Sequence, residues 1–283
     1  MVVSCRQFSC WLLIATLVPA SCLAAGDSAS RRLRKSQPST LFHQIQASLS
    51  RAAGFLCAFP RDQLRFDAAI GTTAAWQLLP LPDLDCARQQ ALQVAGKDHD
   101  NPLRRFFDPA VHIRRAAVQG WQAPARGRIN TNRPVSEALW CDRYPLRSQT
   151  LAYITGPMRD RGGFHSTHAL WSLVIARQRG CLEHRRFLQL STDLRRELRR
   201  AQAGERAISS TRQIDLFAER ALFLALAGEE KDLSTWLGQL LSLQNPDGSF
   251  GIRQHGQPHY PEYHATMISS WLLAWWLHRH HGR

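Results

Sequence analysis

Lysine is nearly missing from this chain: only Lys35, Lys97 and Lys231 occur, so all but three of its 36 basic residues are arginine. A formal charge of +14 at pH 7 would ordinarily point to a polyanionic partner, but a coding bias toward arginine produces the same excess. No Cys-x-x-Cys spacing occurs, which removes the zinc-ribbon class. No apolar run approaches the roughly 20 residues needed to cross a bilayer, which removes an integral membrane segment. Neither Gly-x-Ser-x-Gly nor a Ser-His-Asp arrangement is present, so no serine nucleophile is indicated.

What the chain does have begins with Arg6, an apolar run over residues 11–19, and small residues at Ala20-Ser21 and Ala24-Ala25. This pattern predicts a signal peptide over residues 1–25, cut near Ala24 or Ala25, and an exported product, periplasmic or extracellular. Acylation at Cys22 is the weaker alternative, because Pro19 stands where a lipoprotein signal has an aliphatic residue. Export argues against nucleic acid as a partner. Residues 26–40 read as a flexible basic leader carrying Arg31, Arg32, Arg34 and Lys35. Loss of the signal leaves Cys57, Cys86, Cys141 and Cys181, an even number suited to two disulfides in an oxidising compartment. Sequence order selects none of the three pairings, and buried free thiols are the alternative.

Residues 41–147 read as an irregular N-terminal part of the same domain. Helices are predicted over residues 41–56 and 86–94, separated by Phe66-Asp67-Ala68-Ala69 and a Pro-rich turn at 80–85, and followed by a long polar stretch over 96–134. Residues 148–283 are regular. Apolar helices are expected over 167–179, 214–227 and 263–277, alternating with amphipathic ones over 182–203 and 232–244, and Gly180 and Gly228 stand at stops where a left-handed cap is expected. An apolar helix must be covered on most sides, whereas an amphipathic one faces water on one side. The simplest geometry is an inner ring of helices wrapped by an outer ring. Leu216 lies 48 residues after His168 and 48 before His264, a repeat period consistent with helix pairs.

With the residues laid out this way, Trp236, Gln244, Gly248 and Phe250 resemble the Gln-x-x-x-Gly-x-aromatic repeat of the terpenoid cyclases. Gly256-Gln257-Pro258 with Glu262-Tyr263-His264 is similar to the protein prenyltransferase segment whose Tyr-His supplies a zinc ligand, and Gly162-Gly163-Phe164 is a shorter match. The resemblance covers residues 150–280 and implies an all-α, α/α-toroid fold, with a complete or an incomplete ring. It does not carry the family's chemistry. His165 and Thr167 fall where the prenyltransferase Asp and Cys ligands would stand, and Asp83-Leu84-Asp85-Cys86, in a Pro-bounded turn, only approximates the cyclase acid motif.

If inner helices start at one level, His165, His168, Asp215, Tyr263 and His264 gather around one mouth. Three readings of that group follow. His165, His168 and His264 would hold zinc with a position open for water. Alternatively the five residues cap and hydrogen-bond helix ends. In the third reading they perform proton transfer, with Tyr263 or His264 moving the proton, His165 and His168 assisting, Asp215 orienting, and His259 and Tyr260 on the preceding loop; helix N-termini there would favour an anionic ligand. Asp160-Arg161-Gly162-Gly163 and Asn245-Pro246-Asp247-Gly248 read as tight turns rather than phosphate cradles, and Trp271, Trp275 and Trp276 as core. The functional expectation is a lyase- or hydrolase-like enzyme acting on an anionic glycan. The alternative is a noncatalytic protein that grips a polyanion or protein partner through its mouth and through Arg195, Arg196, Arg199 and Arg200.

Overall fold

The computed structural model describes residues 38–119, 130–205, 207–252 and 259–281, which are helical apart from connections and one isolated bridge between Gln244 and Phe250. The expected signal, most of the leader and Gly256-Gln257-Pro258 lie outside the described residues. In chain order the helices are α1 (Pro38–Ala58), α2 (Phe66–Leu78), α3 (Pro82–Ala95), α4 (Arg115–Gln119), α5 (Asn132–Leu139), α6 (Ser148–Tyr153) and α7 (Arg159–Arg161). They continue with α8 (Phe164–Gln178), α9 (His184–Gly204), α10 (Thr211–Leu226), α11 (Leu233–Leu241) and α12 (Tyr260–His280).

Two expectations change here. The Pro-bounded segment at Asp83-Leu84-Asp85 is the first turn of α3 rather than a loop, because Pro82 occupies the first helical position, where its missing N–H costs nothing. The polar stretch after Gly96 contains a 3-10 turn (Pro102–Phe106), α4 and the start of α5. That turn is pinned by the Trp140 indole donating to the Pro102 carbonyl (2.7 Å) and by Arg105, which donates to the Leu139 carbonyl (2.9 Å) and grips both oxygens of Asp142.

The predicted alternation of apolar and amphipathic helices is present. Eleven consecutive positions of α12 from Thr266 to Trp276 are buried except Trp275, while α9 buries only Phe187, Ser191, Leu194, Leu198 and Gln202. Each of α2, α12, α10, α8 and α5 contacts the next in that order, and the Pro102–Phe106 turn touches both α5 and α2. Around these lie α3 against α2, α1 against α12 and α3, α9 against α8 and α10, and α11 against α10 and α1. Gly180 and Gly228 end α8 and α10 with φ of 76° and 92°; the amides that follow them reach back to Ala176 and Leu224 and satisfy end carbonyls. The apolar helices begin at Phe164, Thr211 and Tyr260, steps of 47 and 49 residues around the expected 48.

Cys57 pairs with Cys86 and Cys141 with Cys181, so of the three pairings it is the sequential one that forms. The first bond joins α1 to α3, and the second joins the segment after α5 to the segment after α8. No described helix is long and apolar enough to cross a membrane.

Candidate functional site

The helices α2, α8, α10 and α12 each deliver polar side chains to one cavity of about 350 Å³. Its inner wall is apolar, formed by Ile70, Met267, Ile268, Trp171, Phe223 and Trp271. Trp171 is sandwiched between Phe106 and Phe223, with ring centroids 5.1 Å away on both sides, and Trp271 meets it edge-on at 6.1 Å. Such offset and edge contacts fix the wall geometry, and they occupy both faces of Trp171, leaving only its edge for the cavity.

The polar side is built on the opening two turns of α2, α8 and α12 and on the second and third turns of α10. Asp215 and Glu219 are four residues apart on α10 and therefore share a face. From α12, the His264 Nδ1 lies 2.9 Å from both oxygens of Asp215, and its Nε2 lies 3.6 Å from Asp67 Oδ2 on α2. Asp67 in turn accepts a hydrogen bond from the Tyr260 hydroxyl. Glu219 accepts one from Thr167 Oγ1 at 2.5 Å and sits 3.7 Å from His168 Nδ1. His168 Nδ1 lies 2.9 Å from the Phe164 carbonyl oxygen, which can only accept, so Nδ1 is the ring's donor.

These positions divide the charges. Burial works against a cation at His264, but the Asp215 carboxylate overrides it and, with Asp67 and Glu219, holds the imidazole pKa up at about 10. Burial, reinforced by the neighbouring Asp215, pushes the Glu219 carboxyl up to about 8. Burial lowers His168 to about 4, so that ring is neutral at pH 7. Burial first, then Asp67, raises the phenols of Tyr260 and Tyr263 above their ordinary value.

Of the five side chains expected at one mouth, the structure brings together His168, Asp215 and His264. Tyr263 does not line the cavity. Its ring is fully buried against Phe59 and Tyr260, at 4.7 and 5.8 Å, and its hydroxyl has no hydrogen-bond partner among the described residues. A helix turns by about 100° per residue, so neighbours in sequence such as Tyr263 and His264 diverge, and it is Tyr260, one turn earlier, that reaches Asp67. His165 is also outside the cavity lining. Burial lowers its pKa, the Gly162 carbonyl opposes this, and Arg161 and Arg212 lower it further. Among the described residues, Asp215, Glu219 and His264 form a group whose ligand atoms all lie within 4.8 Å of one another, and His165 and His168 are not part of that group.

Sequence reasoning missed Asp67 and Glu219 as site residues, and it set Tyr260 on a loop, whereas Tyr260 opens α12. The signal for Glu219 was available, since it stands one helical turn after Asp215 on a nearly all-apolar helix. Asp67 carried no such signal, because nothing local says that α2 packs beside α12. The arginine-rich face of α9 is the exposed side of an amphipathic helix, and acids nearby pair with several of its arginines. Arg195 and Arg199 pair with Glu229 at 2.8 and 3.4 Å, Arg199 also pairs with Asp232 at 3.1 Å, and Arg196 pairs with Asp193 at 3.3 Å.

Fold and site together define a helical protein with a carboxylate-imidazole-carboxylate centre beside a partly open cavity with an apolar inner wall. No family model matches the chain, and no curated protein or solved structure matches it.

Proposed function

We propose that this chain is an exported α/α-toroid enzyme of the hydrolase or lyase type, with its reacting centre at Asp215, Glu219, His264 and Asp67. The observation that carries the reading is the line Asp215, His264, Asp67, Tyr260, closed by hydrogen-bond and ion-pair distances on the polar side of a 350 Å³ cavity. An imidazole held between two carboxylates is oriented and charged for proton transfer, and the apolar wall beyond it limits water and strengthens the electrostatics. The helix circuit around the cavity supports the toroid reading, and the two disulfides support an oxidising compartment.

The cavity also bears on substrate. Its lining sets two acids, Asp67 and Glu219, against two imidazoles, His168 and His264, and the exposed Arg65. That balance favours a neutral polar substrate, such as an uncharged sugar unit, over the anionic glycan expected from sequence.

The test is a turnover screen of the secreted chain with neutral oligosaccharides, uronate-containing oligosaccharides and chromogenic glycosides and esters. On any substrate found, His264→Ala and Asp215→Asn are each expected to lower kcat/KM by at least about 100-fold, the range of a lost general acid or base. Turnover equal to wild type in both variants would overturn the assignment.

A further inference from the structure

We propose that Asp215, Glu219 and His264 bind a single transition-metal dication of the zinc class. The inference rests on the proposed function only in sharing its residues, since a cation can bind there whether or not the centre turns over substrate. Three observations support it. First, one carboxylate oxygen from each acid and one imidazole nitrogen converge within 4.8 Å, and two oxygens with one nitrogen suit zinc, cobalt(II) or manganese(II) better than magnesium or calcium, which favour all-oxygen shells.

Second, the acids lack a basic side chain of the usual kind. Asp215 is 9% exposed and Glu219 2%, and among the described residues neither carboxylate pairs with a lysine or arginine. Buried carboxylates are ordinarily offset by cations or held protonated, and a dication is a partner that satisfies both acids at once.

Third, the surroundings are those of a supported ligand set. A metal-binding histidine typically donates its far ring N–H to a carboxylate that is itself hydrogen-bonded. His264 presents Nδ1 to the acids of α10 and Nε2 to Asp67, which the Tyr260 hydroxyl holds. Thr167 fixes Glu219 in the same way. The cavity lies on the open side of the cluster, leaving room for water or substrate as a further ligand. The set is distinct from the one the prenyltransferase resemblance would suggest, where His165 and Thr167 occupy the other ligand places.

The experiment uses the full secreted chain, stripped with chelator and titrated with Zn²⁺, Co²⁺ and Mg²⁺ by calorimetry and, for Co²⁺, by visible absorption. One Zn²⁺ per chain is expected, with Mg²⁺ at least 100-fold weaker. Asp215→Asn and Glu219→Gln should each weaken Zn²⁺ at least tenfold, and Asp67→Asn by about tenfold. Replacing His278, His280 and His281 together by alanine should leave the affinity unchanged, which separates this site from chelation by the terminal histidines. Folding of each variant is checked by far-UV circular dichroism. Should the carboxylate variants not fold, perturbation of the His264 imidazole NMR resonances by stoichiometric Zn²⁺ in the wild type decides, with perturbation expected.

Absence of stoichiometric Zn²⁺ in the folded wild type overturns the inference. Undiminished affinity in a folded Asp215→Asn/Glu219→Gln double variant, or unchanged His264 imidazole resonances under saturating Zn²⁺, overturns it equally. Loss of turnover in His264→Ala without metal in the wild type sinks the cation alone. Bound metal with undiminished turnover in every variant sinks the reaction centre alone.

Discussion

Tyr263 and Tyr260 show how much one turn of helix decides. Both are phenols in the first turn of α12, yet one hydroxyl bonds Asp67 and the other is sealed among rings without a partner. A buried unsatisfied hydroxyl costs about 1 to 3 kcal/mol, so Tyr263→Phe should leave stability unchanged or raise it by up to about 1 kcal/mol, with turnover unaltered. Urea unfolding and the kinetic assay check both, and a loss of turnover would restore Tyr263 to the centre. His168, Asp215 and His264 were legible because each is polar at the start of an apolar helix, where an unpaired group is conspicuous. Asp67 was not, since its role depends on a partner helix nearly 200 residues away in the chain, and no local pattern encodes that adjacency.

Where helices meet, the sequence was legible in proportion to its periodicity. Apolar and amphipathic runs after residue 148 mark α8 to α12 because burial on all sides or on one side leaves a distinct pattern. The middle of the chain hides its helices because their burial is tied to charge rather than apolar periodicity. In α5, Glu137 is 2% exposed. It accepts from Arg133 Nε and Arg147 Nε at 3.0 Å and from Thr150 at 2.5 Å, and Arg147 also caps the Gln119 carbonyl at 3.2 Å. One carboxylate therefore ties α4, α5 and α6 together. Burial works to raise its pKa, but the hydrogen bonds from Arg147, Thr150 and Arg133 prevail and lower it below 4.5. A depressed carboxylate stabilises the fold above its unfolded pKa, and that contribution is lost as pH falls through the folded value. Glu137→Gln should thus cost about 3 kcal/mol at pH 7, the scale of a broken buried ion pair. The gap to wild type should narrow as pH drops below 4.5. Urea titrations at a series of pH values would show it, and a gap independent of pH would refute the network's role.

Across the whole molecule, the Gln-x-x-x-Gly-x-Phe motif that suggested a toroid is a clasp between the two ends of the chain. The Gln244 side chain donates to the Ser48 and Gly248 carbonyls at 2.9 and 3.0 Å and accepts from Arg51 at 2.6 Å. Gly248, at φ of 93°, lies so close to α1 that a Cβ there would stand 2.1 Å from the Arg51 carbonyl oxygen. Phe250 is fully buried, with its amide held by Thr266 at 2.8 Å. Gly248→Ala combines a left-handed φ with a backbone clash, and a loss of about 3 kcal/mol or more is expected. A melting temperature within a degree or two of wild type would contradict the clasp. The motif was readable as a sequence pattern, but what it grips was not, because α1 carries no matching signature.

The order of the helices along the chain also governs when the cavity comes into being. Its walls are contributed first by α2 and last by α12, so a growing chain has no such chamber until α12 has emerged from the ribosome. Half-made chains must then wait with greasy surfaces uncovered, and loss of α12 would leave the chamber without a wall rather than merely shorten the protein.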